Sequence, residues 1–132
     1  MNGYSVEIIE TATDLTAKER IAIKDTTSCI ALDSAVDEAE KAGTKVRIDV
    51  ANYAVLSVHN ENAKEGNNKD YNNYVLVDKD GTKYVTGSEA LFSSFKSIYD
   101  EMKNEAEEWA IEVYKKPSKN FTGKGFLTCS II

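Results

Sequence analysis

Residues 109–132, WAIEVYKKPSKNFTGKGFLTCSII, decide how this chain is read. Trp109, Ile111 and Val113 alternate with Ala110, Glu112 and Tyr114, and Leu127, Cys129 and Ile131 alternate with Phe126, Thr128 and Ser130. A period of two is the mark of half-buried strands, so the stretch reads as two strands, each turning one face to a core. Between them Lys115, Lys116, Lys119 and Lys124 stand with no acidic residue, interrupted by Pro117, Gly123 and Gly125 and carrying one aromatic ring, Phe121. Proline and glycine at this density mark a loop. A purely cationic loop beside an aromatic ring suits phosphates and bases. A solvated lysine hairpin has the same composition.

Upstream, the run Tyr74–Thr86, YVLVDKDGTKYVT, predicts a hairpin turning at Asp80 and Gly81, where glycine supplies the positive φ. Thr86 and Glu89 have the spacing of a capping box, and Leu91, Phe92, Phe95, Ile98, Tyr99 and Met102 form the apolar stripe of one good helix over about 88–103. That helix is expected to dock on the strand before the hairpin, with Phe92, Phe95 and Met102 buried. From Lys45 to His59 the even positions Val46, Ile48, Val50, Ala54, Leu56 and Val58 are apolar, broken by Asn52. The other face, Arg47, Asp49, Tyr53, Val55, Ser57 and His59, is an odd mixture for plain solvent. Tyr53 there could offer a ring to a base or simply be a good strand residue. The polar segment Glu61–Asn73 reads as a loop with Tyr71 and Tyr74 at its far end.

The N-terminal third is patterned more weakly. Residues 4–10 read as a strand with Val6 and Ile8 inward, 20–24 (RIAIK) as a second with Ile21 and Ile23 inward, and Cys29–Leu32 as its continuation. Asp33 is placed to cap a short helix with Val36 and Ala39 on its inner side, ending near Gly43.

A chain of 132 residues has the length of one domain and can bury a core without staples. Hydrophobic content of 42% with 29% charged residues is globular composition, and no apolar run approaches the roughly 20 residues of a membrane span. The opening MNGYSVEIIE lacks the order of a secretory signal, so the protein is expected inside the cell with Cys29 and Cys129 as reduced, buried thiols. Net charge is -6, with an isoelectric point near 4.8. Distribution decides more than the total. Asp37, Glu38 and Glu40 on one helix, and Asp100, Glu101, Glu105, Glu107 and Glu108 at the end of another, can face away from the lysine loop.

Catalysis finds little support. His59 is the sole histidine, two cysteines give no zinc spacing, and no phosphate-binding glycine motif occurs. Asp78, Asp80 and Gly81 are explained by the hairpin turn rather than a calcium loop. No enzyme activity, cofactor or metal is expected.

The order of elements, strands then a hairpin, one main helix and two closing strands, matches a mostly β OB-fold. This is a five-stranded barrel with a helix between the third and fourth strands, here with an extra N-terminal strand. Residues 19–32, 45–59, 71–86, 109–115 and 125–131 would be its five strands in order. An α+β sandwich shares the pattern. The run YVLVDKDGTKYVTGSEALFSSFKSIYDEM with the ending PSKNFTGKGFLTCSII also resembles the small single-stranded DNA-binding proteins of tailed bacteriophages, best over residues 74–132. That resemblance implies an OB-fold that coats single strands during phage DNA replication or recombination. It further implies the host cytoplasm as location, replication or recombination proteins as further partners, and self-association as an option. Many bacterial proteins of that function end in an acidic recruiting tail; the ending TCSII offers none.

On this reading Arg47, Lys115, Lys116, Lys119 and Lys124 contact phosphates while Tyr53, Tyr71, Tyr74 and Phe121 stack on bases, each true stack worth ~1–3 kcal/mol. Tyr114 and Phe126 come second, and Trp109 is expected to pack. The competing class is an acidic protein-interaction module or DNA mimic working through the carboxylates of residues 100–108. Convergence of lysines and tyrosines on one face would favour DNA. A continuous acidic surface there would favour the mimic.

Overall fold

The structure is a computed structural model describing residues 4–60, 70–118 and 121–132, with side chains described except at Tyr4 and over 117–125. In chain order the elements are β1 (Tyr4–Thr11), α1 (Ala17–Lys24), a 3-10 turn (Thr26–Ser28), β2 (Ile30–Ala31), α2 (Leu32–Lys41), β3 (Val46–Ile48) and β4 (Val50–Asn60). They continue with β5 (Asp70–Asp78), β6 (Lys83–Thr86), α3 (Glu89–Met102), β7 (Ile111–Ser118) and β8 (Phe121–Ile131). The strands make two open sheets, a five-stranded one in the order β1-β4-β5-β6-β2 and a three-stranded one in the order β3-β7-β8. The architecture is mixed α/β.

One segment builds both sheets. β3 pairs with β7, and after Asp49 the chain continues as β4 between β1 and β5. Asp49 is pinned at this kink: its N–H donates to Asp78 Oδ2 at 2.9 Å and its carbonyl accepts from the Lys79 N–H at 2.8 Å. Opposite Asp78 and Val77 the register slips by one between Val50 and Asn52. An extra residue in a strand reverses which parity faces inward. Ile48 therefore enters one core with Tyr53 and Val55, while Ala54 and Leu56 turn to a second core with Ile23 and Val75. Both faces of β4 are buried, which accounts for the odd mixture on its supposed outer face.

The hairpin forms as predicted, with Gly81 at φ +93° and Val77 opposite Lys83. α3 forms over its predicted stripe, but it lies along β8 rather than along the 46–58 strand, which Phe95 reaches at the Tyr53 ring. Of the three residues expected buried, Phe95 alone is fully so, at 0% exposure, while Phe92 and Met102 are half-buried. Its cap lies two residues later than expected. Ser88 accepts from the Leu91 N–H at 3.1 Å, while Thr86 Oγ1 accepts from the Ser88 N–H at 3.1 Å and donates to Asp33 Oδ1 at 2.9 Å. Asp33 thus ties α2 to the end of β6 ahead of α3 instead of capping α2, whose N-cap is Ala31. α2 does end near Gly43, which follows the C-cap Ala42 and has φ +76°.

Residues 20–24, expected as a strand, lie in α1. Thr16 and Glu19 form a capping box there, the Glu19 N–H donating to Thr16 Oγ1 at 3.2 Å and the Thr16 N–H to Glu19 Oε1 at 2.9 Å. Two residues apart on a helix point to nearly opposite sides. Ile23 is buried at 4% and Ile21 stands 72% exposed. The expected five-stranded barrel with one main helix is corrected accordingly. The proposed first barrel strand is mostly helix, and its remnant β2 runs parallel to β6 at the sheet edge. The described strands do not close on one another. Of the predicted polar loop, 61–69 lies outside the described residues, and Asp70–Asn73 begin β5.

Candidate nucleic-acid interface

The three-stranded sheet has a core face and an opposite face that is open in part, α3 covering it at Thr128. Val46 pairs with Val113, and Val113 with Cys129, on the core side. Directly opposed residues share a face. The pairs Arg47↔Glu112, Tyr114↔Thr128 and Lys116↔Phe126 therefore lie on the other side. Lys116 is exposed there, and Phe126 is 42% exposed. Tyr114 is held: its hydroxyl hydrogen-bonds Ser130 Oγ at 2.6 Å. Lys45, in front of β3, places its Nζ 4.4 Å from the centroid of the Tyr114 ring. Thr128 is buried beside Ser94 of α3, the two hydroxyls 3.3 Å apart.

The cations divide sharply by partner. Arg47 donates twice to Asp49, Nε to Oδ2 at 3.2 Å and Nη2 to Oδ1 at 3.0 Å, which raises the guanidinium pKa and lowers that of the carboxyl. Lys115 points to the core side, where Asp37 of α2 takes its ammonium at 2.7 Å. That bond raises the ammonium pKa, and Asp33 and Glu40 add to it. The acidic face of α2 thus lies against β7 rather than away from it. Lys45 and Lys116 differ: among the described residues neither has a carboxylate within ion-pair distance. At the end of this sheet a cleft of about 230 Å³ is lined by Arg47, Asp49, Lys79, Glu108 and Trp109. Its charges of both signs oppose each other.

Two of the predicted stacking residues are core. Tyr53 is 3% exposed, its ring meeting Phe92, Phe95 and Tyr99 edge-on at centroid distances of 5.7, 5.5 and 5.1 Å. Its hydroxyl donates to Glu10 Oε2 at 2.6 Å, and burial, followed by that bond, pushes the phenol up to about 12. Lys96 lies 5.7 Å from the same ring and donates to Asp100 at 2.7 Å, which raises its ammonium. Tyr74 is 7% exposed and stacks on Phe92 at 4.5 Å. Neither ring is open to a base. Tyr71 is 41% exposed, but it sits on β5 opposite Val58, on the larger sheet. Trp109 packs against the core and meets Tyr99 at 6.2 Å. Lys119 lies outside the described residues, as do the side chains of Phe121 and Lys124, whose backbone belongs to β8.

The predicted set therefore separates. Arg47 and Lys115 are engaged by carboxylates, Tyr53 and Tyr74 are packed, and Lys116 and Tyr71 stand in solvent on different sheets. What the structure does assemble is Lys45, Tyr114, Lys116 and Phe126 on one face. Sequence reasoning passed over Lys45. Its parity matches Arg47, but its neighbour Tyr114 is set by the β3–β7 pairing, which local pattern does not reveal. Cys29 and Cys129 are free thiols, and burial pushes Cys129 up to about 11. Among the described residues no group of three or more His, Cys, Asp or Glu could hold a metal, and no helix is long and apolar enough to cross a membrane. No protein-family model, curated protein or solved structure matches the chain.

Proposed function

We propose that this chain binds single-stranded DNA without sequence preference, coating it during replication or recombination of a phage genome in the host cytoplasm. The observation that carries the reading is the open part of the small sheet's outer face. Two lysines without carboxylate partners among the described residues, Lys45 and Lys116, alternate there with two rings, Tyr114 and Phe126. Tyr114 and Phe126 are diagonal cross-strand neighbours, a relation that spaces backbones by roughly 7–8 Å and lets each ring take its own base. Lysines neutralise phosphates and rings stack on any base, so neither reads sequence.

The order of elements supports an open relative of the OB-fold. A long strand kinked at Asp49 pairs first with β7 and then with β5, and α3 stands between the β5–β6 and β7–β8 hairpins. In OB-folds, the loops joining the first two and the last two strands hold oligonucleotides. The corresponding chain positions here, 61–69 and 119–120, lie outside the described residues.

A second reading is an acidic interaction module or DNA mimic working through the carboxylates of residues 100–108, to which the α2 carboxylates beside β7 would add. One titration separates the two. Fluorescence anisotropy with labelled oligothymidine, a duplex and an RNA strand should show oligothymidine retained at low salt and affinity falling with a log-log slope of about -0.7 per phosphate contact. Failure to retain single strands at low salt, or a preference for duplex, would leave the interaction module as the better account.

A further inference from the structure

We propose that Lys45 and Tyr114 form one nucleotide subsite, in which the ammonium covers the ring only while the site is empty. An entering base displaces Lys45, stacks on Tyr114 and frees Lys45 for the phosphate of the same nucleotide. The inference rests on the single-stranded DNA reading and adds to it the residues of one subsite and an exchange between its two occupants.

The ring is built to stay in place. Its hydroxyl is fixed to Ser130 on the neighbouring strand at 2.6 Å, so the platform is ordered before anything binds. Its occupant is built to leave. Lys45 is exposed, lacks a carboxylate partner among the described residues, and sits on a flexible four-carbon stem. It precedes the β3–β7 ladder, which starts at Val46 opposite Val113, so it stands at the end of the strand. By contrast Arg47, Lys96 and Lys115 would each have to break a carboxylate contact of 3.0 Å or less.

A cation over a ring at an exposed site is a weaker contact than a base stacked on that ring, so the exchange runs toward the base. The displaced ammonium then lies within side-chain reach of the sugar-phosphate backbone that carries the base. Lys116 and Phe126, directly opposed across β7 and β8, repeat the pairing of lysine and ring one diagonal step away.

The experiment follows Lys45 itself by NMR. In the free protein the ring current of Tyr114 should shift the Lys45 ε-methylene protons upfield. On titration with oligothymidine that shift should collapse in step with saturation measured by anisotropy. Lys45→Ala should lower the magnitude of the log-log salt slope by about 0.7. Tyr114→Leu should weaken binding roughly five- to a hundredfold with the slope unchanged. Lys45 methylene protons that stay upfield in the saturated complex, or a Lys45→Ala slope equal to that of the wild type, overturn the exchange while the DNA reading stands. A wild-type protein that does not bind oligothymidine at all overturns both. The wild-type NMR measurement decides the matter even if Tyr114→Leu fails to fold.

Discussion

Lys115 and Asp37 are 78 positions apart in the chain, and their charged atoms lie 2.7 Å apart. A basic residue at the root of the lysine-rich segment is thus already neutralised by a carboxylate of α2, and a phosphate could use Lys115 only by displacing Asp37. Lys115→Ala should therefore leave the salt dependence of oligothymidine binding unchanged. Asp37→Asn frees Lys115 on the core side of the sheet, away from the face of Tyr114 and Lys116, so it too should leave the slope nearly unchanged. Both partners are partly exposed, so the stability cost of Asp37→Asn should be about 1 kcal/mol or less. A slope that flattens in Lys115→Ala would mean that the pair opens freely.

Tyr53 carries a pH signature. Its phenol moves from the ordinary 10.0 up to about 12 in the folded protein, so the folded state keeps a proton that the unfolded chain gives up first. Stability from this group is complete below about 10 and is lost as pH rises toward 12. Tyr53→Phe keeps the ring contacts and should remove that part of the alkaline decline, at a cost near neutrality of about 0.5–1.5 kcal/mol for the bond to Glu10. Urea midpoints measured at several pH values for both proteins test it. The decline left in the variant belongs to other groups whose pKa values are raised, Cys29, Tyr84, Lys96, Lys115 and Cys129.

Those elements were legible whose signals are local. The Asp80-Gly81 turn and the α3 stripe depend on neighbours a few positions away, and they form where the sequence places them; β7 and β8 alternate as expected, but they run on to Ser118 and back from Phe121, so most of the stretch expected as a basic loop is paired strand. The misreadings share another cause. Ile21 and Ile23 alternate like a strand, but the Thr16–Glu19 capping box starts a helix across them, and a five-residue alternation is too short to outweigh it. Simple alternation puts Tyr53 on an outer face, but the bulge between Val50 and Asn52 reverses parity, and its mark in the sequence is the polar Asn52 that breaks the apolar run. Tyr74 was placed at a loop end because β5 starts at Asp70, inside a stretch rich in Asn. At the candidate site the residue types were legible and their meeting was not, since Lys45 reaches Tyr114 only through a pairing between strands distant in sequence.

Phe95 joins α3 to the sheet through Tyr53 and is enclosed completely. Phe95→Ala leaves a cavity among residues contributed by several elements, so it should cost roughly 3–5 kcal/mol in equilibrium urea unfolding. A loss below about 1 kcal/mol would mean that the core collapses around the gap.

The two thiols should differ in reactivity. Cys129 is buried and its pKa is pushed up to about 11, while Cys29 is half-buried with a smaller upward shift caused chiefly by desolvation. Thiolate is the reactive form, so a disulfide reagent at pH 8 should react with Cys29 first and with Cys129 only on opening of the core. Unfolding without reductant should release both. Recovery of fewer than two thiols from a sample kept from oxidation would contradict the free state of these cysteines.

Lys116 and Phe126 face each other across β7 and β8 and test the two components of binding separately. Phe126 is 42% exposed, so Phe126→Ala should change stability by about 0.5 kcal/mol or less while weakening oligothymidine binding by ~1–3 kcal/mol with an unaltered salt slope. Lys116→Ala should do the reverse in salt, lowering the magnitude of the slope by about 0.7. The double variant should lose less than the sum of the two if ring and ammonium hold the same nucleotide, because adjacent contacts to one ligand couple. Tyr71 supplies the control. It is as exposed as Phe126 but lies on the five-stranded sheet, so Tyr71→Ala should leave affinity nearly unchanged if the strand crosses the small sheet. A large loss in Tyr71→Ala with none in Phe126→Ala would move the binding path to the five-stranded sheet and remove the role assigned to Lys45, Tyr114, Lys116 and Phe126.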